Sequence, residues 1–198
     1  MDCRFSATQD RTSLKWFRRL FAALLLVATS PAIAQTDLTA GNALIDAAAI
    51  GNADVVENLL RRGARVDASD ERGRTPLIFG AFNGSVRIVD LTLSLGAKVD
   101  RQDRGGNSAL IWAANRGHLE VVERLIAADA NVNLRNGEGQ TALMMAAAAG
   151  NYDIVQTLLD AGAEPTALDY TGRSALDWAR EGRNRDLMRL LEKAERGG

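Results

Sequence analysis

Apolar positions fall in adjacent pairs four residues apart. Val55/Val56 pairs with Leu59/Leu60, Val121/Val122 with Leu125/Ile126, and Ile154/Val155 with Leu158/Leu159. A spacing of four lays a single apolar stripe along a helix. A shorter, Ala-rich stretch precedes each striped segment, most clearly Ala109 to Arg116. Thr75, Ser108, Thr141 and Ser174 open these stretches. A hydroxyl there accepts from the first free amides of a helix. Pro76 follows at a position where its missing N–H costs nothing. Gly51, Gly84, Gly117 and Gly150 close the short helices, and Gly63, Gly96 and Gly162 close the striped ones, since glycine accepts the left-handed terminal conformation. Ala64–Asp67 and Ala97–Asp100 then run extended into a turn. The pattern predicts an all-α chain of helix pairs joined by short β-turn or hairpin loops.

The pairs recur at a fixed interval. Gly73, Gly106, Gly139 and Gly172 are 33 residues apart, as are Thr75, Ser108, Thr141 and Ser174. Leu44, Leu77, Leu110, Leu143 and Leu176 hold the same period, as do Val55, Ile88, Val121, Ile154 and Leu187. Such self-similarity marks a solenoid, in which each unit buries its apolar face only against its neighbours.

These residues resemble the ankyrin repeat. The family pattern, with its T-P-L start, central G-H, paired L-L and closing G-A, lies on Asp70–Asp100, Asp103–Asn133 and Asn136–Pro165. Asp169–Leu191 fits without the trailing loop, and Leu38–Asp67 is a degenerate first copy. The resemblance implies an ankyrin-repeat solenoid of about five helix-turn-helix units, roughly 38–70, 71–103, 104–136, 137–169 and 170–198.

Several positions depart from the family pattern. Its turn histidine is replaced by Ile45, Ile78, Ile111, Met144 and Asp177. The network that this histidine makes in the family is therefore in doubt, while the fold is not, because apolar side chains can pack there. Thr92 stands where Leu59, Leu125 and Leu158 stand; a hydroxyl there is expected to bond the carbonyl one turn back. Asp129 replaces a terminal glycine, Pro165 a loop valine, and Gly182-Arg183 shifts the last glycine by one. Asn42-Ala43-Leu44 stands in for T-P-L in the first unit, and the final helix carries Asp186, Arg189, Glu192, Lys193, Glu195 and Arg196. A terminal unit needs such a polar outer face, because no neighbour covers it.

The N-terminus has a different character. Arg11, Lys15, Arg18 and Arg19 precede the apolar run Leu20–Ala28; Pro31 breaks the helix, and Ala32-Ile33-Ala34 forms a small-x-small cleavage site. This reads as a secretory signal peptide over residues 1–34, leaving Gln35–Gly198 as the repeat domain. Arg18-Arg19-Leu20-Phe21 resembles the core of a twin-arginine signal, although two arginines also simply make the region basic. No cysteine stands at the cleavage site, which argues against a bacterial lipid anchor.

The 198-residue chain has 24 Lys+Arg against 25 Asp+Glu. Removing the leader's five basic and two acidic residues leaves 19 against 23, a net charge of −4. That balance argues against a nucleic-acid binder. Cys3 leaves with the leader, so neither disulfides nor thiol chemistry serve the mature chain. His118 is the single histidine, so no Cys/His zinc site can be assembled, and it is the one candidate base for a hydrolase triad, with no second histidine, H-E-x-x-H motif or cysteine beside it. It is read as a capping or surface residue. Asp67, Asp70, Asp100 and Asp103 occupy turns, where carboxylates bond backbone amides. Gly105-Gly106 lacks the context of a phosphate loop. Trp112 and Trp178 share a position with Phe79 and Met145, which suggests packing along the first helices.

The resemblance implies a non-enzymatic interaction module that needs no metal or cofactor. It also implies contact residues on the turn tips and first helices, which form the concave face. At the turns these are Arg72, Arg74, Arg104, Asn107, Glu138, Gln140, Tyr170 and Arg173. On the first helices they are Phe82, Asn83, Asn115 and Arg116, beside Ala148 and Ala149. Phe82 is expected to face solvent, and Phe82, Arg116 and Tyr170 are the preferred anchors. Arg72, Arg74, Arg104, Arg116 and Arg173 could line a basic edge, or be scattered charges with Glu71 and Glu138 between them. The expected partner is another protein in the periplasm. Secretion toward a host or neighbouring cell, or membrane tethering by an uncleaved leader, are the alternatives. Binding to nucleic acid, or to membrane after cleavage, is not expected, and nothing calls for more than a monomer.

Overall fold

The structure is a computed structural model that describes residues 31–197, with side chains from residue 40 to residue 196. Most of the expected leader therefore lies outside the described residues. The chain divides into two compact units, Met1–Leu38 and Thr39–Gly198, and the repeats occupy the second.

Ten helices run through the described residues in order: α1 Pro31–Ala49, α2 Ala53–Arg61, α3 Pro76–Asn83, α4 Val86–Ser94 and α5 Ala109–Arg116, followed by α6 Leu119–Ala127, α7 Ala142–Ala149, α8 Tyr152–Asp160, α9 Ala175–Glu181 and α10 Arg185–Gly197. No strand occurs among them. The short helices α3, α5, α7 and α9 pack side by side in one layer. The striped helices α2, α4, α6, α8 and α10 form the second layer, and each of α3, α5, α7 and α9 also packs on the helix that follows it. This is an all-α repeat solenoid.

Local chemistry sets the boundaries. The hydroxyls of Thr75, Ser108, Thr141 and Ser174 accept from the amides of Ile78, Ile111, Met144 and Asp177 at 3.3–3.4 Å. At α9 the Asp177 carboxylate also accepts from the Ser174 amide at 3.0 Å, completing a reciprocal cap. Gly84 ends α3 with φ 72°, and a Cβ there would lie 2.6 Å from His118 Nδ1. Both the backbone angle and the neighbouring repeat therefore exclude a side chain. The last repeat differs: Gly182 keeps φ −72°, and Arg183 takes φ 54°. Period thus overrides residue type, since Arg183 is the residue 33 places after Gly150. Asp129 likewise adopts φ 60°.

The core follows the stripes. Ile88, Val121, Ile154 and Leu187 are buried on the second helices, with Leu77, Leu110 and Leu143 on the first. Ile45, Ile78, Ile111 and Met144 are buried where the family histidine would stand, so packing replaces its hydrogen bonds. Thr92 is fully buried and its hydroxyl donates to the Ile88 carbonyl at 2.8 Å, as its place on the helix led one to expect. Val55 breaks the register: it is 41% exposed, although Ile88 at the same register is fully buried. Ile88 packs into a cluster with Val56 and Leu60 of α2. Among the described residues no earlier second helix stands beside α2 to cover Val55. Pro31 opens α1, and the apolar run expected before it lies outside the described residues. No helix among the described residues is long and apolar enough to cross a membrane.

Candidate protein-binding surface

A side-chain cap organises each turn between repeats. Asp70 Oδ1 accepts the amides of Arg72 and Arg74 at 2.9 and 2.8 Å. Asp103 Oδ1 accepts those of Gly105 and Asn107, both at 2.9 Å. Asn136 Oδ1 accepts those of Glu138 and Gln140 at 3.0 and 2.9 Å, and Asp169 Oδ1 those of Thr171 and Arg173 at 2.8 and 3.0 Å. The free oxygens of Asp103 and Asp169 accept from the indoles of Trp112 and Trp178 at 2.9 and 3.2 Å, tying each tip to its first helix. The carboxylates of the turns are thus structural acceptors.

Burial pushes the Asp169 carboxyl upward. The bonds from Thr171, the Arg173 amide and Trp178 outweigh it and hold the group below the usual carboxylate range. Asp70 behaves alike: burial raises it, and the amide and guanidinium of Arg74 bring it down further. Asp177 is lowered first by the Ser174 amide, against a smaller effect of burial.

Successive tips are joined backbone to backbone. The Arg104 amide donates to the Arg72 carbonyl at 2.8 Å, Gly137 to Gly105 at 2.8 Å, and Tyr170 to Glu138 at 3.0 Å. Other bonds join the first helices across repeats. Asn83 Nδ2 donates to the Ala48 and Ala49 carbonyls at 3.2 and 3.0 Å, and Asn151 Nδ2 donates to the Ala114 carbonyl at 3.2 Å. His118 Nε2 lies 3.2 Å from the Phe82 carbonyl, so the lone histidine is a joint between repeats.

On this frame Arg72, Asn83, Arg104, Arg116, Glu138 and Tyr170 are exposed, and Arg74, Phe82, Asn107, Asn115 and Arg173 are half-buried. Two expectations need correction. Gln140 is only 8% exposed, and its Oε1 accepts from Asn136 Nδ2 at 3.2 Å, so it belongs to the turn and not to the contact surface. Phe82 does not face solvent freely. The Arg116 guanidinium lies over its ring at 3.9 Å, and the Trp112 ring meets it edge-on, centroids 5.1 Å apart at 74°. Tyr170 is 74% exposed and also pinned: a Cβ on Gly139 would lie 2.7 Å from its ring, so the tyrosine rests on the bare backbone of the preceding tip.

Two further arginine–aromatic stacks escaped sequence reasoning. Arg74 lies 4.4 Å over Phe79 and Arg173 lies 3.7 Å over Trp178. Each arginine stands five residues before its ring, a repeating spacing that could have revealed them. The Arg116–Phe82 stack crosses between repeats and left no local signal. The proposed basic edge is interrupted, since Arg74 is bound to Asp70 at 2.8 Å and Arg173 to Glu181 at 2.9 Å. Among the described residues no cluster of His, Cys, Asp or Glu is arranged to hold a metal ion.

No curated protein matches the chain. The family model for ankyrin repeats (3 copies) matches residues 19–103, 78–169 and 110–196, and so spans nearly the whole length. Members of that family are typically non-enzymatic modules that bind other proteins. The 33-residue period, the paired helices in two layers and this match together place the chain in the ankyrin-repeat family.

Proposed function

We propose that the chain is an exported, non-enzymatic docking module that holds one partner protein on its tip-and-first-helix face. The observation behind this reading is a row of exposed side chains on a braced frame: Arg72, Asn83, Arg104, Arg116, Glu138 and Tyr170 ride on tips and helices already bonded to one another across repeats. Binding on such a frame loses little ordering entropy. Aromatic and arginine side chains are the usual anchors of protein interfaces.

In this reading residues 1–34 are a signal peptide and the mature chain begins at Gln35. Cleavage there trims the start of α1 and leaves the buried Leu44, Ile45, Ala47 and Ala48 in place. The compartment is the bacterial periplasm, the protein acts as a monomer without cofactor, and the partner is an enzyme or other protein that it stabilises or holds inactive.

The test is to cross-link a tagged full-length protein in its own cells and recover it from periplasm, medium and membrane. The expected result is a chain with Gln35 at its N-terminus in the periplasm, bound to one dominant protein. Tyr170→Ala is expected to weaken that capture without lowering thermal stability. An intact chain in the medium moves the action outside the cell, and Met1 or Asp2 at the N-terminus of a membrane-bound form contradicts cleavage.

A further inference from the structure

Three arginines stack on aromatic rings on this face, and they differ in what holds the outer edge of the guanidinium. Arg74, over Phe79, is closed by Asp70 at 2.8 Å. Arg173, over Trp178, is closed by Glu181 at 2.9 Å. Arg116, over Phe82, has neither an ion pair nor a hydrogen-bond partner among the described residues, and it is exposed. The chain itself therefore shows twice what a stacked arginine on this face binds, and leaves the third one open.

We infer that Arg116 is a receptor for an aspartate or glutamate side chain of the partner protein. This rests on the docking reading above and specifies its chemistry. The Phe82 ring, itself wedged by Trp112 at 5.1 Å, stands 3.9 Å from the centre of the guanidinium and holds it in place. A planar fork fixed in this way meets a carboxylate with two parallel hydrogen bonds, and less order is lost on binding than for a free lysine or arginine. Next to it in the following repeat, Ala148 and Ala149 are exposed and Met145 is half-buried, a low, apolar strip with no charge of its own. The complementary partner segment carries an acidic residue for Arg116 and an apolar one beside it.

The test uses the full chain and a capped hexaglutamate peptide, with capped hexalysine and oligothymidylate as controls. Nitrogen-resolved spectra of the arginine side chains follow each titration. The expected result is a saturable shift of the Arg116 Nε–H signal with hexaglutamate, with Arg74 and Arg173 unmoved because their edges are already filled. Arg116→Ala is expected to weaken peptide binding about tenfold, in line with a lost charge-assisted contact. Arg116→Lys weakens it nearly as much, since charge remains but the stacked fork does not. An unmoved Arg116, equal shifts of all three arginines, or tighter binding of oligothymidylate than of hexaglutamate overturns the inference. A photo-cross-linker at Ala149 separates this from the docking reading. Capture of a partner there that is indifferent to Arg116→Ala removes the carboxylate receptor alone. Absence of any captured partner removes docking on this face. Capture through the partner's C-terminal carboxylate, mapped by sequencing the cross-link, contradicts the side-chain source.

Discussion

The Trp112 indole donates to the Asp103 carboxylate at 2.9 Å while the other oxygen of that carboxylate caps two amides of the turn. One side chain thereby fixes both a tip and the angle at which its first helix meets it. Asp103→Ala is expected to cost roughly 1–3 kcal/mol, the range for removing an acceptor from several donors at once. Asp103→Asn should cost less, because an amide oxygen can still cap the turn, as Asn136 does one repeat later. Urea unfolding of the two variants measures the difference. Equal losses would mean that the turn cap contributes nothing and that the indole bond carries the whole effect.

Arg183 occupies a left-handed angle of 54° immediately after a glycine that does not need its freedom, at φ −72°. A side chain in that conformation costs roughly 1–2 kcal/mol relative to glycine. Arg183→Gly is therefore expected to stabilise the protein by about 1 kcal/mol, despite the removal of a charged side chain. Gly84→Ala acts in the opposite direction, since its Cβ would lie 2.6 Å from the His118 ring. Thermal melts of both variants give the two signs directly.

These cases show how the sequence could be read and where it could not. The cap hydroxyls, stripes and glycines repeat, so Thr75, Ser108, Thr141 and Ser174 announced their helices without any knowledge of contacts. The buried Thr92 was legible too, because its acceptor lies one turn back on the same helix. Gln140 was misplaced although its partner Asn136 lies only four residues away in the same turn, whereas Phe82 was misplaced because Arg116 crosses to it from the next repeat. Side chains of neighbouring repeats are 29 to 37 residues apart along the chain in the Asn136–Asn107 and Asn151–Ala114 bonds, beyond the reach of local pattern. Val55 holds its register in the sequence yet is 41% exposed, because a register does not say what covers a residue.

Acid should loosen the turns. Asp70, Asp169 and Asp177 all titrate below the usual carboxylate range in the folded state. A depressed folded value means that their contribution is fully present above the unfolded value near 4 and is lost as pH falls through the lower folded value. Stability is expected to be flat from pH 7 to about pH 5 and to fall below about pH 4. Asp169→Asn is expected to lower stability at pH 7 and to flatten the acid decline. Denaturant midpoints of wild type and variant at pH 7, 5, 4 and 3 test this, and parallel declines would contradict it.

The second helices carry ion pairs of their own. Arg87 meets Asp54 at 2.6 Å and Glu57 at 2.8 Å across two repeats, and these carboxylates raise the Arg87 pKa. Arg87 and its Asp54 partner are well exposed, and water screens a surface pair of this kind so that it contributes little. Arg87→Ala is therefore expected to leave partner capture unchanged and to shift the denaturant midpoint only slightly. A large loss of capture would relocate binding to the other face.

Site-specific photo-cross-linking in living cells tests the central claim most directly. A photoreactive residue is placed in turn at Ala149, exposed at the end of the first helix α7, and at Glu123, exposed on α6 of the opposite layer. The account predicts one dominant protein adduct from Ala149 and none from Glu123. An adduct from Glu123 alone, or the same mixture from both positions, would contradict a dedicated docking face.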